Sequence, residues 1–205
     1  MNNKAVVYIH GLYGSHQEVE EYTFLNKEYD LIGLEYQDGN PWEVGEIVKK
    51  RFKEAISPYQ EVVVIAYSIG AFYSYEFLSD FKIKQAFFIS PVASMPEIIQ
   101  GIMFLNHIGE KELKEKKLVQ LPDGMSLSYD YNQYLINRQD RWNVPTEILY
   151  GTNDKLISFK SVQAFLNAHP NTKLTIKQGS EHYFHTPEEK DFIKNWISQN
   201  LNHNL

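Results

Sequence analysis

The sequence predicts an α/β protein built on a mostly parallel sheet, and three observations carry that prediction. Short apolar runs rich in β-branched residues recur along the chain. Between them lie segments whose apolar residues repeat at helical spacing, the pattern of βαβ units. Polar and glycine-bearing stretches follow several of the runs, at the carboxyl strand ends where open parallel sheets place their ligands.

Ala5-Val6-Val7-Tyr8-Ile9 is the first buried strand, and it runs into His10-Gly11-Leu12-Tyr13-Gly14-Ser15. Two glycines straight after a strand make a loop whose backbone can approach a ligand closely. Asp30 to Tyr36 holds a second strand, centred on Leu31-Ile32-Gly33-Leu34. Asn40-Pro41-Trp42-Glu43 has the residues of a capped helix start, with proline at its first position. Val44, Ile47, Val48, Phe52, Ala55 and Ile56 then predict one buried helix face.

Glu61 to Tyr67 is a β-branched strand that crosses Ser68 into a helix beginning Ile69-Gly70-Ala71. A serine at such a junction, among small residues, reads as a nucleophile elbow, a strained turn that stands the hydroxyl up. The pattern here is Ala66-Tyr67-Ser68-Ile69-Gly70, with alanine where glycine is usual. The plainer alternative is an ordinary strand-to-helix connection with Ser68 as N-cap.

Gln85-Ala86-Phe87-Phe88-Ile89 is the fourth strand, closing at Ser90-Pro91. From Val92 to about Trp142 no strand signal follows. Ser94-Met95-Pro96-Glu97 opens a helix, Glu110 to Lys117 reads as a solvated helical face, and Tyr129 to Arg138 reads as a third helix. Leu121-Pro122-Asp123-Gly124 is a turn. Such an insertion is a cap over a site or structural padding; its Met and aromatic residues line an apolar pocket or seal the core. Thr146 to Tyr150 restores the rhythm and leads into Gly151-Thr152-Asn153-Asp154. A helix over Ser158 to Ala168, a strand over Lys173 to Lys177, the loop Gln178 to Phe184 and a helix capped by Thr186 complete the chain.

With 205 residues, the chain suits one domain carrying one insertion. A net charge of −6 with interspersed signs argues against a nucleic-acid partner. The absence of cysteine excludes disulfides and thiolate chemistry and fits a reducing compartment. No apolar run approaches membrane-spanning length, and the first strand is too short for a signal-peptide core, so a cytoplasmic protein is expected.

Four strand-end loops carry useful groups: His10-Gly11-Leu12, Ser68, Asp154 and His182. Ser, Asp, His is the chain order of the α/β-hydrolase triad. The chain resembles a small bacterial member of the α/β-hydrolase superfamily over nearly its whole length. Tyr150 to Asp154 resembles the acid loop, Gly179 to Phe184 the histidine loop, and residues 92–142 occupy the place of the helical cap. The resemblance implies one domain over 1–205, a six-stranded sheet ordered 2-1-3-4-5-6, and no counterpart of the family's two extra N-terminal strands. It implies Ser68 as nucleophile, His182 as base and acid, and Asp154 as the group that orients the imidazole. The N–H groups of Leu12 and Ile69 would form the oxyanion hole, with Gly11, Tyr13 and Tyr67 beside the substrate.

Other residues compete for these roles. His185 stands three residues beyond His182 and reads as structural or as lining the pocket mouth. His16, His107, His169 and His203 lack a strand-end position, and Asp140 precedes its strand rather than following it. His182-x-x-His185 lacks the carboxylates of a metal site, and no phosphate-binding glycine pattern is present. The expected activity is hydrolysis of a small to medium carboxylic ester, with no cofactor, a small-molecule substrate, no membrane partner and an open oligomeric state. The alternatives are an amide, peptide or C–C bond hydrolase with the same triad, or a non-catalytic ligand-binding protein on the same fold.

Overall fold

The structure, a computed structural model, describes residues 2–201. Strand β1 (Lys4–Ile9) leads through a 3-10 segment (His16–Leu25) to β2 (Asp30–Gly33) and α1 (Pro41–Ile56). β3 (Glu61–Tyr67), α2 (Ile69–Phe77) and β4 (Gln85–Ile89) follow. The insertion holds α3 (Met95–Leu105), α4 (Glu110–Lys116), a hairpin of β5 (Leu118–Gln120) and β6 (Ser126–Ser128), and α5 (Tyr129–Asn137). β7 (Thr146–Gly151), α6 (Phe159–Ala168), β8 (Thr172–Lys177) and α7 (Pro187–Asn200) end the described chain.

The main sheet runs β2-β1-β3-β4-β7-β8 with every pair parallel, which is the order the family resemblance implied for the six core strands. Strand residues alternate between two cores. Val7, Ile9, Val64, Ala66 and Phe88 face α1, α2, α6 and the insertion. Val6, Tyr8, Ile65, Phe87 and Ile89 face the 3-10 segment and α7, where Trp196 and Ile197 are buried. Both faces are covered, so the inner strands are apolar throughout rather than alternating.

Four features differ from the sequence expectation. The insertion is not purely helical, since β5 and β6 pair antiparallel around the Leu121–Gly124 turn. Each strand spans only three residues, too few to show a period. The His16–Leu25 segment carried no predicted element, although Ser15 and Glu18 form a capping box there. Ile47 is exposed rather than part of the buried face of α1. Asn40 caps nothing: its Oδ1 accepts from the Ser126 N–H at 2.9 Å and its Nδ2 donates to Glu43 at 3.1 Å, tying the start of α1 to the insertion.

The insertion is also fastened at its far end. Arg138, at the end of α5, pairs with Glu76 of α2 at 2.5 Å, and Asp140 faces His169 at the end of α6. His169 Nδ1 lies 2.7 Å from the Phe165 carbonyl and Nε2 3.2 Å from Asp140 Oδ2. Both neighbours are acceptors, so the ring is best satisfied when both nitrogens carry protons. Burial lowers its pKa, but the Asp140 contact and the Phe165 carbonyl outweigh burial despite opposition from Arg138, and the net shift is upward. A raised histidine pKa adds stability that is complete below its ordinary value of 6.5 and lost as pH rises through the folded value. Asp140 shifts the other way, burial being outweighed by His169, the Trp142 N–H and Arg138, so its share is lost only in acid. His169→Gln should therefore destabilise most below the ordinary value of 6.5 and progressively less as pH rises above it, read as the difference in urea midpoint. A difference independent of pH would contradict a charged His169.

Candidate active site

The carboxyl end of β3 turns sharply at Ser68, whose φ of 50° and ψ of −116° no helix or strand residue adopts. Backbone bonds hold the turn: the Ser68 N–H donates to Ile89 O at 2.9 Å, and its carbonyl accepts from Val92 at 3.0 Å and Ala71 at 3.2 Å. The hydroxyl makes no capping bond to α2. That geometry is an elbow and not the N-cap connection. Gly70 is the residue the elbow cannot replace, since a Cβ there would stand 2.3 Å from Ile9 O and 2.6 Å from His10 O. Ala66 in place of the usual glycine is fully buried in the strand without distorting it.

His182 reaches Ser68 from the loop after β8, its Nε2 3.0 Å from Ser68 Oγ. Its Nδ1 lies 2.8 Å from Asp154 Oδ2. A carboxylate only accepts, so Nδ1 carries the proton and Nε2 is left to accept from the serine. Asp154 Oδ1 is occupied by the N–H groups of Leu156 and Ile157, both at 2.9 Å, which lock the carboxylate in place. The loops that carry Asp154 and His182 are joined by one backbone bond and one side-chain bond: Asn153 N–H donates to Ser180 O at 2.9 Å, and Gly179 N–H to Thr152 Oγ1 at 2.9 Å. Gly151 permits this, because a Cβ there would lie 2.3 Å from Ser180 O.

Two hydroxyls behind the histidine hold its own carbonyl. Ser90 Oγ donates to His182 O at 2.7 Å, and Tyr67 Oη donates to the same oxygen at 3.0 Å. Tyr67 Oη also accepts from the Phe184 N–H at 2.7 Å. Burial pushes the Tyr67 phenol well above its ordinary pKa, so it remains a neutral donor. The hydroxyl of Tyr67 is thus committed to the histidine loop, and only its ring borders open space. Ser90 was not singled out in the sequence; a buried serine with φ of 45° is visible only in the fold.

The loop after β1 forms a turn closed by Gly14 N–H to Gly11 O at 3.0 Å, with Tyr13 left-handed at φ 61°. Asp38 holds this strained residue, its Oδ2 accepting from the Tyr13 N–H at 2.9 Å. The Tyr13 side chain is 79% exposed. His10 is buried, its ring stacked on Tyr36 at 3.9 Å and its Nδ1 donating to Gly11 O at 2.8 Å, so it shapes the loop from behind. Gly11 lies against Ser68, where a Cβ would sit 3.2 Å from Ser68 Cβ. Among the described residues, the N–H groups of Leu12 and Ile69 have no acceptor within the protein. Asp38 could not be found from sequence, since nothing local marks it.

The competitors lie elsewhere. His185 turns its Nδ1 to the Tyr183 carbonyl at 2.9 Å and borders a cavity mouth. Asp140 and His169 pair with each other, and His203 lies outside the described residues. Two cavities adjoin the loops. One of about 330 Å³ is bordered by Gly11, Leu12, Tyr13, Tyr67, Tyr183 and His185 among others. The second, about 90 Å³, lies against the insertion and is bordered by Leu12, Ile69, Trp42, Ile98, Met125 and Tyr131 among others. Among the described residues, no helix is long and apolar enough to cross a membrane.

No protein-family model matches the chain, and no curated protein matches it in sequence. Solved structures do. Est1E from Butyrivibrio proteoclasticus superposes with a TM-score of 0.68 at 16% identity, over 97% of this chain and 88% of that one. Mouse alpha/beta hydrolase domain-containing protein 10 gives 0.69 at 13% identity, over 95% and 88%. A lipase-esterase related protein from Clostridium acetobutylicum gives 0.65 at 13% identity, over 97% and 94%. At these identities the likeness speaks for the fold. With its parallel six-stranded sheet, strand order and flanking helices, the chain has the fold of the α/β-hydrolase superfamily.

Proposed function

We propose that the protein is a serine hydrolase that cleaves a small to medium carboxylic ester by acyl transfer to water. The observation that carries the reading is the hydrogen-bonded chain from Ser68 Oγ through His182 to Asp154, at 3.0 and 2.8 Å. A serine hydroxyl is a weak nucleophile unless a base takes its proton, and His182 Nε2 is aligned to do so. Ser68 Oγ would bond to the ester carbon while the C–O bond to the alcohol breaks. His182 would hand the serine proton to the departing oxygen. A water would then give its proton to His182 and attack the acyl-enzyme, releasing the acid and returning the proton to Ser68. The charge on the carbonyl oxygen in both steps would be met by the Leu12 and Ile69 N–H groups, whose lack of internal partners supports that role. No cofactor enters these steps.

Residues 92–142 act as the cap in this reading, closing the apolar cavity beside the oxyanion loop. Esters are preferred over amides because neighbours on this fold carry esterase names, the Clostridium acetobutylicum protein among them. Acid release from ethyl acetate and ethyl butyrate, followed by pH-stat, tests the proposal. Steady release above the buffer rate is expected. Saturable binding of the same esters without acid release would favour the ligand-binding alternative instead.

A further inference from the structure

The two cavities divide the substrate, an inference that rests on the serine-hydrolase reading. The leaving oxygen must lie within reach of His182 Nε2 to take its proton, so the alcohol part belongs on the histidine-loop side. The cavity there borders Tyr183, Phe184 and His185 on that loop and Gly11 to Gly14 on the other. The acyl carbon bears the oxygen held between Leu12 and Ile69, and the cavity bordered by both of those residues is the smaller one. Leu12 borders both cavities and stands as the partition.

Their walls differ in kind. The smaller cavity is walled by the isoleucines of α3, Met125 and the rings of Trp42 and Tyr131. Its volume of about 90 Å³ compares with ~150 Å³ for a cavity that admits benzene and ~30 Å³ per water, so it holds a chain of about four carbons and no ring. The larger cavity is bordered by the rings of Tyr13, Tyr22, Tyr67 and Tyr183, with the Tyr67 and Tyr183 planes 11° from parallel. Its charged groups are already engaged: Glu18 by Tyr8 Oη and the Ser15 N–H, Glu21 by Lys190. Flat aromatic walls without a spare charge suit an uncharged aromatic group.

We propose that the substrate is the ester of a short aliphatic acid, about four carbons long, with an aromatic alcohol. The test uses benzyl esters of acetic, butyric, hexanoic, octanoic and benzoic acid, with cyclohexylmethyl butyrate as a partner to benzyl butyrate. The two alcohols are similar in size and leaving ability, so only the aromatic ring distinguishes them. We expect kcat/KM to rise about fourfold per methylene from acetate to butyrate. It should fall at least tenfold by octanoate and benzoate, and benzyl butyrate should exceed cyclohexylmethyl butyrate severalfold. Ile98→Ala enlarges the smaller cavity and should move the optimum to hexanoate, a gain that a misfolded variant cannot produce. Tyr183→Ala should reduce the benzyl preference without moving the acyl optimum. A rate that keeps rising to octanoate, a preference for benzoate, or equal rates for the two alcohols would overturn this division while leaving the hydrolase reading standing. No hydrolysis of the benzyl esters while ethyl acetate and ethyl butyrate are still cleaved would overturn the division alone, and no hydrolysis of any of them, the ethyl esters included, would overturn both.

Discussion

Ser68→Ala is expected to lower kcat on a cleaved ester by roughly 10⁶, the loss typical of removing the nucleophile from a serine triad. The fold should survive, because the elbow rests on backbone bonds from Ser68 to Ile89, Val92 and Ala71 and not on the hydroxyl. Alanine occupies the same strained backbone at no greater cost than serine. What disappears is the one oxygen that His182 Nε2 addresses. Circular dichroism and the thermal midpoint should stay close to wild type while acid release falls to background. Full activity in this variant on every cleaved ester would refute the triad.

Asp154→Asn is expected to cost about 10⁴ in kcat, and the reason is the proton count at His182. Asp154 Oδ1 already accepts two N–H groups, from Leu156 and Ile157. An asparagine at this position therefore keeps its carbonyl oxygen there and turns its NH₂ toward His182 Nδ1. That nitrogen must then accept, which places the ring proton on Nε2, facing Ser68. The base becomes a donor and can no longer take the serine proton. Asp154→Ala would free the ring as well and leave the two N–H groups unpaired, mixing a stability loss into the reading. The asparagine variant separates the two. A kcat within tenfold of wild type would show that Asp154 does not set the tautomer.

How much of this was legible in the sequence follows from where the information sits. Ser68, Asp154 and His182 follow strand ends; buried apolar runs announce β3 and β7, and the alternation of Lys173 to Lys177 announces β8, which stays only half-buried. The sheet order came with the resemblance to the α/β-hydrolase superfamily, since crossover rules limit the topologies without choosing among them. The residues that tune the site act across space and left no local trace. Asp38 holds Tyr13 from the far side of β2, and Ser90 supports His182 across ninety-two positions of sequence. Asn40 carried the right residue type for a cap, yet its side chain went to Ser126, a contact that no pattern near Asn40 encodes. Ile47 satisfied the helical period of α1, but the buried stripe of Val44, Val48 and Phe52 is narrower than the period allowed. The hairpin at 118–128 is held by its turn, where Asp123 Oδ1 accepts the Met125 N–H at 3.0 Å and Gly124 takes φ 88°. That turn was readable; three-residue strands beside it were not.

The central claim is that Ser68 is an activated nucleophile. Fluorophosphonate labelling of wild type and Ser68→Ala, read by intact mass, tests it most directly. A single adduct on the wild type, mapped to Ser68 and absent from the variant, is the expected result. Folded wild-type protein that takes up no label, or a variant that labels as readily, would contradict it.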